Sequence, residues 1–213
     1  MERPRYIAIE GPIGVGKSAL AQILGERLEG RLVLDAVDDN PFLASFYGDR
    51  KKHAFQTQLF FLLSRFQQQQ DLFQQDLFTQ STIADYLFAR DRIFASLTLD
   101  AHELALYDRI YALLGPRVVK PDLVVYLQAR TDVLLSRVRK GGRDFERHLD
   151  AAYLEALARA YNEFFFHYDE TPLLVVNVSD LDLGAPDAAD SLVNVIRRHR
   201  KGTQHYVPLG TKT

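Results

Sequence analysis

The stretch Tyr6-Ile7-Ala8-Ile9-Glu10-Gly11-Pro12-Ile13-Gly14-Val15-Gly16-Lys17-Ser18 reads as a short apolar strand running into a glycine-rich turn. Behind it, Ala19-Leu20-Ala21-Gln22-Ile23-Leu24 continues with helical composition. Strand, loop and helix in that order, with residues 11–18 fitting G-x-x-x-x-G-K-S/T, make a phosphate-binding loop. Glycine lets the backbone curl until its N–H groups point inward, and the helix N-terminus adds partial positive charge. Gly11, Pro12, Ile13, Gly14, Val15, Gly16, Lys17 and Ser18 are therefore the expected cradle for ATP. Lys17 is placed to reach the β- and γ-phosphates and Ser18 to ligate Mg²⁺. A plain turn between strand and helix needs neither the lysine nor the serine.

Working outward, short aliphatic runs alternate with longer helical patterns. Strands are expected at Tyr6–Glu10, Arg31–Leu34, Thr82–Ala84, Leu123–Leu127 and Leu173–Val176. Helices are expected at Lys17–Leu28, Phe55–Gln75, Ala89–Leu97, His102–Leu114, Asp132–Arg139, Leu149–Tyr168 and Ala188–Arg198. Strands apolar on both faces, each followed by a helix, imply a parallel sheet covered on both sides. The expectation is a three-layer α/β fold of the P-loop kinase type, with a five-stranded parallel sheet and a short Arg-rich lid at about residues 137–147. No repeat or long linker divides the chain, so residues 1–213 read as one domain. Leu72, Phe73, Leu77 and Phe78 recur at helical spacing among the glutamines from Gln67 to Gln75, which predicts a solvated helix face there. Residues 202–213 carry no assignment.

The bulk properties narrow the function. With 26 basic and 28 acidic residues the net charge is -2, which argues against nucleic acid as an obligate partner. The absence of cysteine removes disulfides, thiolate metal sites and a cysteine nucleophile together. The six histidines are scattered without metal-ligand spacing. No run approaches the roughly 18 apolar residues of a membrane span, and the first apolar stretch is too short for a secretory signal. The expectation is a cytoplasmic protein that engages neither membrane nor nucleic acid. Aliphatic residues between the charges on the longer helices suggest a helix–helix face for a homodimer. There is no guanine-reading Asn-Lys-x-Asp, and a compact chain with a single phosphate loop favours phosphate transfer to a small acceptor.

Four further segments bear on the acceptor. Leu34-Asp35-Ala36-Val37-Asp38-Asp39-Asn40-Pro41-Phe42 closes the second strand. Tyr47 precedes Phe55-Gln56-Thr57-Gln58 and Ser64-Arg65, in which Gln58 and Arg65 lie seven residues apart and so share a helix face. Ile83-Ala84-Asp85-Tyr86-Leu87 is followed by Arg90-Asp91-Arg92, and the basic run Arg137-Val138-Arg139-Lys140-Gly141-Gly142-Arg143-Asp144-Phe145-Glu146-Arg147 has the look of a lid hinged at its glycines. Together with the phosphate loop, these segments resemble the deoxynucleoside kinases, and among them the bacterial deoxyadenosine/deoxyguanosine kinases.

The resemblance implies roles residue by residue. Asp35 falls where the family has a glutamate acting as general base on the 5′-hydroxyl, one methylene shorter than usual. Tyr47 matches a contact to the sugar 3′-hydroxyl, and Gln58 a side chain making paired hydrogen bonds to the base. Arg65 and Asp91 match a pair that favours adenine, guanine or cytosine over thymine. Asp85 keeps the acid that organises the metal with Ser18, whereas Tyr86 stands where the family has an arginine, leaving Arg90 and Arg92 as substitutes. Arg137 and Arg143 match lid arginines that neutralise the transferring phosphoryl group. Glu146 matches a carboxylate that holds the 3′-hydroxyl. Read without the resemblance, the same residues also allow an acidic N-cap cluster at Asp35, a structural Arg65–Asp91 ion pair and a solvated basic loop at the lid. The implied reaction is ATP-dependent phosphorylation of a deoxynucleoside. A nucleoside monophosphate kinase such as thymidylate kinase, and a nucleotide-binding module without turnover, are the alternatives.

Overall fold

The computed structural model describes residues 6–75, 81–143, 146, 149–183 and 185–207. Leu77 and Phe78 of the glutamine-rich segment, Asp144, Phe145 and Arg147 of the lid, and residues 208–213 of the tail lie outside the described residues. The chain forms two compact units: Met1–Leu34, Thr79–Leu87 and Lys120–Thr213 make the first, and Asp35–Phe78 with Phe88–Val119 the second.

The first unit is built on a parallel sheet of six strands: β1 (Tyr6–Glu10), β2 (Arg31–Val33), β3 (Thr82–Ala84), β4 (Leu123–Gln128), β5 (Leu173–Asn177) and β6 (Thr203–Tyr206), in the spatial order β2-β3-β1-β4-β5-β6. The first strand sits between β3 and β4, with Ile7 opposite both Ile83 and Leu123. Order reverses around β1, and ligands in open parallel sheets gather at the carboxyl ends of strands at such a reversal. On one face Ile7, Ile9, Val125, Leu127, Leu174 and Val176 pack against α1 (Lys17–Leu28) and α8 (Pro186–Arg198), through Leu20, Leu24, Leu192 and Ile196. On the other face Tyr126 stacks on Phe165 of α7 (Ala151–Phe166), ring centroids 4.1 Å apart. Helices therefore cover both faces, as expected. Between β4 and α7 runs α6 (Thr131–Gly141), whose Leu134 joins the first-face core.

The sheet has one strand more than the five expected. The sixth is Thr203-Gln204-His205-Tyr206, an edge strand with three exposed residues, pairing with β5 in the register Leu173↔Thr203. Its stability comes from backbone hydrogen bonds to a buried neighbour, so it carries no apolar alternation.

The second unit is helical: α2 (Leu43–Gly48), α3 (Arg50–Gln75), α4 (Arg90–Thr98) and α5 (Ala101–Leu114). Its core joins Leu62 of α3, Phe88, Ala95 of α4 and Tyr107 of α5, with Phe55 and Leu59 packed against them. A capping box opens α5, with Asp100 accepting from the His102 and Glu103 N–H groups while Glu103 reaches back to the Asp100 N–H. The glutamine-rich end of α3 departs from a purely solvated face. Gln67 and Asp71 are exposed, but Gln69 is buried and the Gln70 amide donates to the Arg117 carbonyl at 3.0 Å. Among the described residues no helix is long and apolar enough to cross a membrane.

Candidate active site

The phosphate loop belongs to the first unit. Its glycines are dictated by geometry. A Cβ on Gly11 would lie 2.5 Å from the Leu127 carbonyl oxygen, and Gly16 caps α1 at φ 103°, a left-handed conformation. Lys17 Nζ donates to the carbonyls of Gly11 (2.7 Å) and Pro12 (3.1 Å), which folds the cation back over the loop. Ser18 Oγ donates to Asp85 Oδ2 at 2.5 Å, so the two residues expected to share a metal lie together. A hydroxyl beside a carboxylate is the oxygen donor set that suits a hard divalent cation taking its remaining ligands from phosphates and water. Among the described residues no group of three or more His, Cys, Asp or Glu side chains could hold a metal by itself.

Arg137 on α6 reaches back to this loop. Its guanidinium donates to the carbonyls of Val15 (3.2 Å), Val178 (2.9 Å) and Leu181 (3.3 Å). Burial lowers its pKa, and the charge of Asp182 opposes that shift. Beyond the end of α6, Arg143 pairs with Glu146: its backbone N–H donates to Oε2 at 3.0 Å and its Nη1 to Oε1 at 3.4 Å. Two lid residues expected on different parts of the substrate are thus bound to one another here.

The second unit holds a network of two carboxylates and two guanidiniums. Arg65 of α3 bridges Asp35, through Nε (3.1 Å) and Nη2 (2.9 Å), and Asp91 of α4, through Nη1. Arg90 adds a bond from Nη1 to Asp35 Oδ2 at 2.7 Å. All four side chains are buried or nearly so. Burial by itself lowers the Arg65 pKa, but the charges of Asp35 and Asp91 outweigh it and the net shift is upward. Arg65 is therefore a permanent cation, lying also over the ring of Phe61 at 4.8 Å. Arg92, the other substitute considered for the arginine missing at Tyr86, points elsewhere and pairs with Asp108 on the surface. Tyr86 itself is fully buried.

Gln58 lies on α3 two turns before Arg65. It is 3% exposed. Tyr47 is half-buried on α2, edge-on to Phe46 at 5.3 Å. Phe55 packs against the helical core.

Glu10 belongs to no motif that the sequence displays. This last residue of β1 is completely buried and accepts three hydrogen bonds, from the N–H groups of Gly11 and Leu87 (both 2.8 Å) and from the Tyr161 hydroxyl (3.0 Å). An acid closing a strand that is buried along its whole length was the available signal, because such a group must find donors.

A phosphate loop at the reversal point of a parallel sheet, with Ser18 and Asp85 joined beside it, defines a phosphotransferase of the P-loop kinase class. The deoxynucleoside kinase family model matches residues 7–200. The chain is 40% identical over 162 residues to the deoxyguanosine kinase of Bacillus subtilis (strain 168), covering 76% of this chain and 78% of that one. To the deoxyadenosine kinase of Dictyostelium discoideum it is 34% identical over 181 residues, covering 82% and 73%. The deoxyadenosine kinase of M. mycoides, solved with the products dCMP and a flexible dCDP, superposes with a TM-score of 0.80 at 27% identity, covering 90% of this chain and 98% of that one. The chain belongs to the deoxynucleoside kinase family, and its reaction is the phosphorylation of deoxynucleosides.

Proposed function

We propose that the enzyme transfers the γ-phosphate of ATP to the 5′-hydroxyl of deoxyguanosine, deoxyadenosine or deoxycytidine, in preference to thymidine, with Mg²⁺ on the donor phosphates. The observation that carries the acceptor half is Arg65, whose guanidinium ties Asp35 to Asp91. One carboxylate serves the sugar end of the nucleoside and the other the base. Asp35 takes or orients the 5′-hydroxyl proton, and the guanidiniums of Arg65 and Arg90 fix the direction of its oxygens. Arg90 fills the part that the family gives to the arginine missing at Tyr86, a reading its 2.7 Å bond to Asp35 supports.

Gln58 offers a donor and an acceptor side by side to the base edge. Asp91, held by Arg65, favours a base with an exocyclic amino group, because a carboxylate only accepts hydrogen bonds. Tyr47 and Glu146 engage the 3′-hydroxyl. The names of the relatives, deoxyguanosine and deoxyadenosine kinases, agree with an amino-bearing base.

On the donor side, Lys17 exchanges its two loop carbonyls for phosphate oxygens, and the backbone of residues 11–18 supplies the cradle. Ser18 and Asp85 would hold the Mg²⁺, whose charge when bound draws electron density from the β- and γ-phosphates. Arg137 and Arg143 add positive charge around the transferring group. We further propose that the two compact units serve one kinase domain, and that the enzyme is a homodimer associating through the exposed Leu63 of α3 and Leu106 and Leu113 of α5.

The test is Mg·ATP-dependent ADP release with each of the four deoxynucleosides, each matching monophosphate, and no acceptor. Turnover is expected with deoxyguanosine, deoxyadenosine or deoxycytidine, least with thymidine, and weakly or not at all with monophosphates. Turnover confined to monophosphates would move the acceptor to a phosphorylated sugar and remove the roles given to Tyr47 and Glu146. Thymidine as the best acceptor would remove the base-reading role given to Asp91.

A further inference from the structure

We infer that Glu10 is a positioning residue for phosphate transfer: its buried carboxylate fixes the spacing between the mouth of the phosphate loop and the segment carrying Asp85. This rests on the reading of Ser18 and Asp85 as the metal pair. A fully buried carboxylate is costly to keep unless it is paired or hydrogen-bonded. In this case no cation pairs with it among the described residues, and three neutral donors take that place.

The identity of those donors carries the argument. The Gly11 N–H opens the loop that ends in Lys17 and Ser18, and the Leu87 N–H lies two residues beyond Asp85. Oε1 takes the first and Oε2 the second, so the two oxygens of one carboxylate span two chain segments at matched 2.8 Å distances. Backbone N–H bonds to an ionised acceptor are roughly twice as strong as neutral ones. The clamp therefore holds Asp85 where its Oδ2 meets Ser18 Oγ before any nucleotide arrives. The third donor, Tyr161, belongs to α7 and lies ring-parallel to Tyr126 of β4, which seats the carboxylate against the covered face of the sheet. A preformed oxygen pair spares nucleotide binding the cost of assembling one.

Three substitutions separate this role from packing. Glu10→Gln keeps the size but puts an NH₂ group against one of the two backbone N–H donors. Glu10→Asp keeps the charge but is too short to span both. Tyr161→Phe removes one bond and leaves both backbone bonds in place. The primary readout is the dissociation constant of Mn²⁺ in the presence of a non-hydrolysable ATP analogue, followed by electron paramagnetic resonance, together with KM for ATP and for the deoxynucleoside.

Losing one charged hydrogen bond should weaken Mn²⁺·analogue binding by about tenfold or more in Glu10→Gln. KM for ATP should rise in parallel, while KM for the deoxynucleoside stays within about twofold of the native value. Glu10→Asp should fall between the two proteins, and Tyr161→Phe should bind the metal within about threefold of native. Native metal affinity in a folded Glu10→Gln protein would overturn the inference. If Glu10→Gln does not fold, native affinity in Glu10→Asp overturns it equally. A loss in Tyr161→Phe as large as in the Glu10 variants would assign the effect to packing instead. The metal readout needs no acceptor, so an error in the acceptor assignment leaves it intact.

Discussion

Asp35 is a catalytic-base candidate whose environment works partly against it. Two guanidiniums aim its carboxylate, but each hydrogen bond they donate occupies a lone pair that a substrate proton would need. The compromise is sensible where the transition state is loose and positioning matters more than basicity. Arg90 and Arg92, two residues apart at the start of α4, give a controlled comparison. Arg90 is buried against Asp35, whereas the Arg92–Asp108 pair is 61% and 37% exposed on its two sides. Exposed pairs contribute little, and removing one partner of a buried pair is severe because the other charge is left behind. Arg90→Ala should lower kcat by about 100-fold, the scale of losing one preorganised charge contact, and should lower the melting temperature as well. Arg92→Ala should remain within about twofold in kcat. Steady-state ADP release with the preferred deoxynucleoside, alongside a thermal melt, decides it, and equal losses in both variants would refute the assignment to Arg90.

At the scale of elements, the sequence was informative wherever local pattern and tertiary environment agreed. The bounds of β1, α1 and β3 match their expected ranges because apolar runs and a glycine motif mark their ends. Elsewhere, context decided. The helix α3 begins at Arg50 rather than at Phe55, its charged first turn being capped by Asp49, whose Oδ1 accepts from the Lys52 N–H. The short α2 goes unmarked in the sequence, since six residues with Leu43 and Phe46 buried are too few to show a period. The same division runs through the site. Residues 11–18 are contiguous and legible from chemistry alone. Asp35, Arg65 and Asp91 are spread over three segments, so only a family resemblance could suggest them together.

The segment after α6 shows why existing contacts matter. Arg143 and Glu146 bind each other, so both must exchange partners if Arg143 is to meet phosphate and Glu146 the 3′-hydroxyl. The consequence is selective. Glu146→Gln should lower kcat/KM for the preferred deoxynucleoside by about 10-fold or more, the value of a hydrogen bond to a charged group. It should leave the matching 2′,3′-dideoxynucleoside within about twofold, because that acceptor has no hydroxyl to lose. Equal losses for both acceptors would mean that Glu146 acts only by restraining Arg143.

At the scale of the whole molecule, the surface of the helical unit presents a problem of its own. Leu63, Leu106 and Leu113 are 48%, 49% and 73% exposed. Single exposed leucines are ordinary on protein surfaces. Leu106 and Leu113, however, are seven residues apart and therefore on one face of α5, the face that the proposed dimer would bury. A second copy supplies one without any further component, and a two-fold interface presents the same residues from both sides. Replacing Leu106 and Leu113 by aspartate would put like charges opposite one another across such an interface, where they repel and lose their hydration. Sedimentation velocity should therefore report about twice the 24.3 kDa chain mass for the native protein and a single chain mass for the Leu106→Asp/Leu113→Asp variant. Neither position belongs to the proposed site, so the variant's circular dichroism and its nucleotide-analogue binding should stay native and exclude unfolding as the cause. A native protein sedimenting at one chain mass would remove the dimer, and a variant still sedimenting as a dimer would move the interface away from α5.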